Sequence, residues 1–166
     1  MPTYLKGDAT KPVGDDNRYV VHVCNDRGGW GAGFVVAVSK CWSEPEEAYR
    51  DWFKSKTHPL WGHFELGNIQ IVKVAPNLSV VNMIAQSGYG QGNRHLHRTS
   101  EPDSRPPIRY DALEQCLEKV AASAKVYGAS LHGPRFGAGL GGGRWSAIEP
   151  IIEQTLNGLA VTIYDL

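Results

Sequence analysis

The chain has 166 residues, 42% hydrophobic and 20% charged, with 17 Lys plus Arg against 17 Asp plus Glu. A neutral chain has no overall field to capture nucleic acid or an anionic membrane, so an anionic ligand must be held by local groups. The length predicts one domain, residues 1–166, with a substantial core, and no apolar run nears the roughly 20 residues that span a bilayer.

TYLKGD opens the chain as a strand ending at a Gly-Asp turn. RYVVHVC (18–24) is nearly continuous in apolar residues, as a strand covered on both faces must be. GFVVAVSKCW (33–42) follows glycines and is too long and apolar for a strand, so it reads as a buried helix. EPEEAYRDWFKS (44–55) has Pro45 and acidic residues at its start, which are helix-start signals. NIQIVKVA (68–75) and LSVVNMIAQ (78–86) flank a Pro76-Asn77 turn and read as a hairpin. Residues 87–106 are polar, glycine-rich and aperiodic, which predicts an exposed connection able to influence substrate choice. PPIRYDALEQCLEKVAASAKVYG (106–128) is the clearest helix: Leu113, Leu117, Val120 and Ala124 share one face and Gly128 suits its C-terminal cap. ASLHG is a short strand, WSAIEPIIEQTLN (145–157) a helix despite Pro150, and AVTIYDL a final strand. Strands alternating with helices predict a three-layer α/β/α sandwich around a central sheet.

Two strands run into glycine-rich turns followed by helices: CNDRGGWGAGFV (24–35) and GPRFGAGLGGGR (133–144). Six of the first eleven residues of the second are glycine. Ligands of α/β sheets collect outside the carboxyl ends of the strands, where glycines let backbone N–H groups approach a phosphate. GAGLGG fits the G-x-G-x-x-G pattern but follows the penultimate strand, and neither loop has a Walker lysine. The sequence therefore does not predict a dinucleotide oxidoreductase or a P-loop enzyme.

YLKGDAT, NDRGGWGAGF, VVNMIAQ, PPIRYDALEQCL and PRFGAGLGGGRW together resemble a macrodomain, over nearly the whole chain. The branch resembled is that of the terminal ADP-ribose protein glycohydrolase and the yeast-type ADP-ribose-1''-phosphate phosphatase. The resemblance implies a mixed central sheet with ADP-ribose across its crest. It implies that Asp8 accepts from the adenine amino group beside the Ala9 backbone, and that Tyr164 is a candidate for stacking on adenine. Gly31, Ala32 and Gly33 would line one side of the diphosphate; Phe136, Gly137, Ala138, Gly139, Leu140 and Gly141 would wrap the other. Asn25 matches the asparagine that meets the distal ribose, and Trp30 would wall it.

The match breaks at the chemistry. The glycohydrolase uses a lysine nucleophile and an aspartate; alignment puts those positions at Gln86 and Gly141. Glutamine forms no covalent sugar adduct at neutral pH. The resemblance to other macrodomain branches implies a water activated by the substrate's own phosphate, with Asn25 and Gln86 positioning ribose and water for hydrolysis of mono-ADP-ribosyl esters on glutamate or aspartate. A non-catalytic ADP-ribose reader, an ADP-ribose-1''-phosphate phosphatase and an O-acyl-ADP-ribose deacylase are the alternatives. The expected partners are ADP-ribose and mono-ADP-ribosylated proteins, with nucleic-acid ends possible but not indicated and no membrane.

Other residues read as structural. Asp26 and Arg27 could touch the distal ribose or a water but fit a solvated charge pair better, His22 and His132 fit satisfied histidines, and Arg109 reads as structural in preference to serving the modified protein or pinning the 87–106 loop. Arg135 could contact phosphate or turn toward the sheet. His95 and His97 lack a third ligand at suggestive spacing. Cys24, Cys41 and Cys116 show no CxxC or zinc spacing. With no signal-peptide pattern at MPTYLKGDATKP, they predict reduced thiols in a cytoplasmic monomer without metal or cofactor.

Overall fold

The computed structural model describes residues 1–88 and 106–166. In chain order the elements are β1 (Thr3–Lys6), β2 (Arg18–Asn25), α1 (Phe34–Cys41), α2 (Glu44–Ser55), β3 (Thr57–His58), β4 (Gly62–His63), β5 (Ile69–Ala75), β6 (Leu78–Gln86), α3 (Tyr110–Tyr127), β7 (Ser130–Gly133), α4 (Trp145–Thr155) and β8 (Val161–Asp165). Six strands form one sheet in the order β1-β8-β7-β2-β6-β5, and β3 pairs with β4 separately. Strands β1, β8, β7, β2 and β6 run parallel; β5 is antiparallel to β6. The carboxyl ends of five strands therefore open on one edge.

Alternation along the central strands sends successive residues to opposite layers. Val20 and Cys24 of β2, with Val80 and Ile84 of β6, pack with Val35, Val38, Tyr49 and Trp52 of α1 and α2. Val21, Val81 and Met83 pack instead with Leu113, Leu117, Ile148 and Ile152 of α3 and α4. The expected α/β/α sandwich forms because both faces of these strands are apolar and a helical layer covers each.

Polar residues on the α1/α2 face form one network. Asn82 donates from Nδ2 to Gln70 Oε1 (3.0 Å) and to the Pro45 carbonyl (3.2 Å), while Gln70 Nε2 donates to the Ala48 carbonyl (3.0 Å). Asn82 Oδ1 is thus left to accept from His22 Nε2–H at 2.6 Å. This ties α2 to the middle of the sheet without an unsatisfied buried group.

The structure corrects one helix start and adds one hairpin. The helix expected from residue 106 begins at Tyr110, because Ile108 bridges to Gln86 and Pro107 biases the residue before it toward extended backbone. The small β3–β4 hairpin was not expected. Of the exposed connection expected over 87–106, only Ser87, Gly88 and Pro106 fall within the described residues, and Gly88 is buried. His95 and His97 lie outside the described residues.

Candidate functional site

The loops after β1, β2, β6 and β7 share the carboxyl edge of the sheet. The two glycine loops meet there: a Cβ added to Gly33 would lie 3.2 Å from Leu140 Cδ1. Gly33 has φ 84°, a conformation open to glycine, and immediately precedes α1. No side chain caps that helix: Val36 N–H donates to the Gly33 carbonyl at 3.1 Å, while the N–H groups of Phe34 and Val35 have no side-chain acceptor among the described residues.

Accounting for backbone donors shows what these loops hold in reserve. In the β7–α4 loop, Phe136, Ala138, Gly142 and Gly143 donate to carbonyls within the loop, and Arg144 N–H donates to Tyr110 Oη at 3.1 Å. The amides of Gly137, Gly139, Leu140 and Gly141 have no acceptor among the described residues. In the β2–α1 loop the same holds for Gly31, Ala32 and Gly33. Unpaired N–H donors on two adjacent loops, one of them leading into a helix N-terminus, suit an anion with several oxygens.

At one end of this edge, Gly7 N–H donates to the Asp165 carbonyl and carries the chain into Asp8. Asp8 Oδ1 accepts from Thr10 N–H (2.9 Å) and Thr10 Oγ1–H (2.7 Å), which hold the carboxyl below its usual range. Its Oδ2 has no partner among the described residues. At the other end, β2 and β6 shift register so that Asn25 lies opposite Gln86. Gln86 Oε1 lies 3.3 Å from where a Cβ on Gly141 would be.

A macrodomain protein from Streptomyces coelicolor is 40% identical to this chain, covering 100% of it and 99% of its own length, with a TM-score of 0.81. The chain belongs to the macrodomain family. A protein of unknown function from Bacteroides thetaiotaomicron is 46% identical over 100% of this macrodomain and 98% of its own chain, with a TM-score of 0.89. Mouse chromodomain-helicase-DNA-binding protein 1-like is 28% identical over 97% of the macrodomain, which spans only 17% of that protein's length. The ADP-ribose 1''-phosphate phosphatase of Saccharomyces cerevisiae is 23% identical, matching 99% of the macrodomain and 98% of the yeast protein. No family model matches the chain.

The macrodomain brings most of the expected residues to the edge, with exceptions. Asp8, Gly31, Ala32, Gly33, Gly137, Gly139, Leu140, Gly141 and Gln86 lie at or just past the carboxyl ends of the strands, and Ala9 is buried. Trp30 does not form an open wall. It is 5% exposed, donates from its indole to Ser39 Oγ at 2.7 Å, and packs edge-on to His22. Tyr164 presents no free face either: it is 5% exposed, accepts from Val13 N–H at 3.0 Å and lies 2.8 Å from His132 Nδ1. The Phe136 side chain belongs to the core against Trp145, so only its backbone reaches the loop.

Asn25 is largely spent inside its own loop. Its Oδ1 accepts from Arg27 N–H (2.9 Å) and Gly29 N–H (3.1 Å), and its Nδ2 donates to the Gly29 carbonyl (2.7 Å). Tyr49 of α2 adds a hydroxyl that donates to the Asn25 carbonyl at 2.6 Å. No pattern in the sequence marks that tyrosine, since the contact joins α2 to a loop 24 residues away.

Asp26 is more than a solvated partner of Arg27. The two are 3.6 Å apart, but Asp26 Oδ1 also accepts from Gly88 N–H at 2.8 Å. Arg135 turns from the loop to grip Asp165 through Nε (2.8 Å) and Nη2 (3.0 Å), over the rings of Tyr4 and Trp145. His22 is fully buried and neutral, its pKa lowered to about 4 by desolvation. Burial pushes the Cys24 thiol well up and that of Cys116 to about 12, so neither is a thiolate nucleophile at neutral pH.

Proposed function

We propose that this macrodomain binds ADP-ribose along the carboxyl edge of its sheet and hydrolyses mono-ADP-ribosyl esters on glutamate and aspartate side chains without a lysine nucleophile. The observation that carries the reading is the set of unpaired amides on two glycine loops that touch at Gly33 and Leu140. Seven N–H donors facing one space match the oxygens of a diphosphate. Asp8 Oδ2 lies on the β1 side, free to accept from the adenine amino group. That orientation sends the distal ribose toward Asn25, Gln86 and Gly141.

The chain's own residues limit the chemistry available. Gln86 is held by donating from Nε2 to the Gly88 carbonyl at 2.9 Å, and no lysine replaces it. The anomeric carbon must therefore be attacked by water rather than by the protein. A carboxylate is a good leaving group, so the reaction needs orientation and a proton acceptor more than an acid. Partners under this reading are proteins mono-ADP-ribosylated on acidic side chains.

The test is release of ADP-ribose from a target mono-ADP-ribosylated on glutamate. Wild-type protein is expected to release it, and Gln86→Ala to do so more slowly with ADP-ribose still bound. Binding without release would leave a reader of the modification. The full-length match to the yeast protein favours ADP-ribose-1''-phosphate as the second substrate, since it carries phosphate at the same anomeric position. Release of inorganic phosphate from that compound, without ester cleavage, would select the phosphatase reading.

A further inference from the structure

Water attack at the anomeric carbon requires a proton acceptor, and neither Gln86 nor Asn25 is one. Within the described parts of the loops after β2, β6 and β7, Asp26 is the sole carboxylate. Its place is fixed from two directions. Asp26 N–H donates to the Gln86 carbonyl at 2.9 Å, seating it beside Gln86 at the end of the paired strands. Its Oδ1 accepts from Gly88 N–H at 2.8 Å, while the carbonyl of the same Gly88 accepts from Gln86 Nε2. The Asp26 and Gln86 side chains thus grip one residue and are held together by it.

Oδ2 of Asp26 is left without a protein donor among the described residues. The side chain is 21% exposed, against 46% for Arg27, so it is sheltered but reachable. Gln86 in turn borders Gly141, the position that lacks an acid. The β2–α1 loop therefore brings a carboxylate beside Gln86, next to a β7–α4 loop that carries none.

We infer that Asp26 is the general base of this site, an inference that rests on the hydrolase reading above. Water bonds through oxygen to C1'' of the distal ribose. The bond from C1'' to the glutamyl ester oxygen breaks, and the carboxylate leaves with the electron pair. The water proton passes to Asp26 Oδ2 and then to solvent. One water is consumed for each ester cleaved, and free ADP-ribose and the unmodified carboxylate result.

Asp26→Asn separates base from scaffold, because its amide oxygen still accepts from Gly88 N–H. The expected result is a fall of about a hundredfold in kcat for ester cleavage, with KM and ADP-ribose affinity within about threefold of wild type. Asp26→Ala with added formate supplies a second reading, in which an external carboxylate restores release. An Asp26→Asn protein that cleaves at the wild-type rate overturns the inference while leaving the hydrolase reading intact. Loss of ADP-ribose binding in step with activity overturns it too, by making Asp26 a scaffold residue. A wild-type protein that binds ADP-ribose but cleaves no ester removes the hydrolase reading, and this inference with it.

Discussion

Gly139 and Gly143 lie four positions apart in the same loop, yet alanine should affect them in opposite ways. A Cβ at Gly139 meets nothing within 4 Å, whereas one at Gly143 would sit 2.5 Å from the Gly137 carbonyl oxygen and 3.0 Å from Ile148 Cδ1. Gly143→Ala is therefore expected to cost about 1–3 kcal/mol in urea denaturation, since a backbone oxygen cannot step aside cheaply. Gly139→Ala should leave stability unchanged but weaken ADP-ribose about tenfold in calorimetry, because its methyl enters the space bounded by the open amides. Unchanged affinity in a folded Gly139→Ala protein would remove the diphosphate from that loop. Asn25 gives a third contrast. Removing an oxygen that accepts two N–H groups leaves both donors stranded, so Asn25→Ala should lose about 2–4 kcal/mol of stability. Its loss of activity would then report loop collapse; a fully stable Asn25→Ala protein would instead restore a direct ribose role.

The β2, β5 and β6 strands and α2 are joined by His22, Asn82 and Gln70, and that union makes stability depend on pH. Folded His22 titrates near 4 instead of 6.5, so between those values the unfolded chain binds a proton that the folded chain refuses. Stability should be full above pH 6.5 and fall as pH drops toward 4, by about 3 kcal/mol from this group. His132, also lowered by burial, acts in the same direction. Urea midpoints of wild type and His22→Gln across that range check the assignment: the variant should lose less stability on acidification. Elements of this length were legible because their apolar residues alternate or recur at helical spacing. The β3–β4 hairpin was not, since two-residue strands carry no period to read. Gln86 and Gly141 could be paired only through the family resemblance, as 55 positions separate them in sequence. The inward turn of Trp30 and Tyr164 was not legible for a simpler reason. A strand end puts a residue near the edge but does not say whether its ring turns inward, and here Ser39 and Val13 supply the hydrogen-bond partners that draw both inside.

Taken whole, the chain carries no net charge to attract a diphosphate. Two of the arginines nearest the glycine loops are already engaged. Arg135 is committed to Asp165 at 2.8 and 3.0 Å, and Arg27 stands 3.6 Å from Asp26. If backbone dipoles hold the ligand, attraction acts at contact distance, within a site partly shielded from ions. Screening weakens interactions between exposed charges over separations near the Debye length, and it leaves short N–H···O contacts nearly untouched. The dissociation constant for ADP-ribose should therefore change by less than about threefold between about 50 mM and about 500 mM sodium chloride. The association rate should be similarly insensitive, for want of a steering field. A tenfold or greater loss of affinity over that range, roughly 1.4 kcal/mol, would mean that a charged side chain carries the phosphates. Arg27 and Arg144 would be the residues to replace first, and whichever substitution abolished the salt dependence would identify the group.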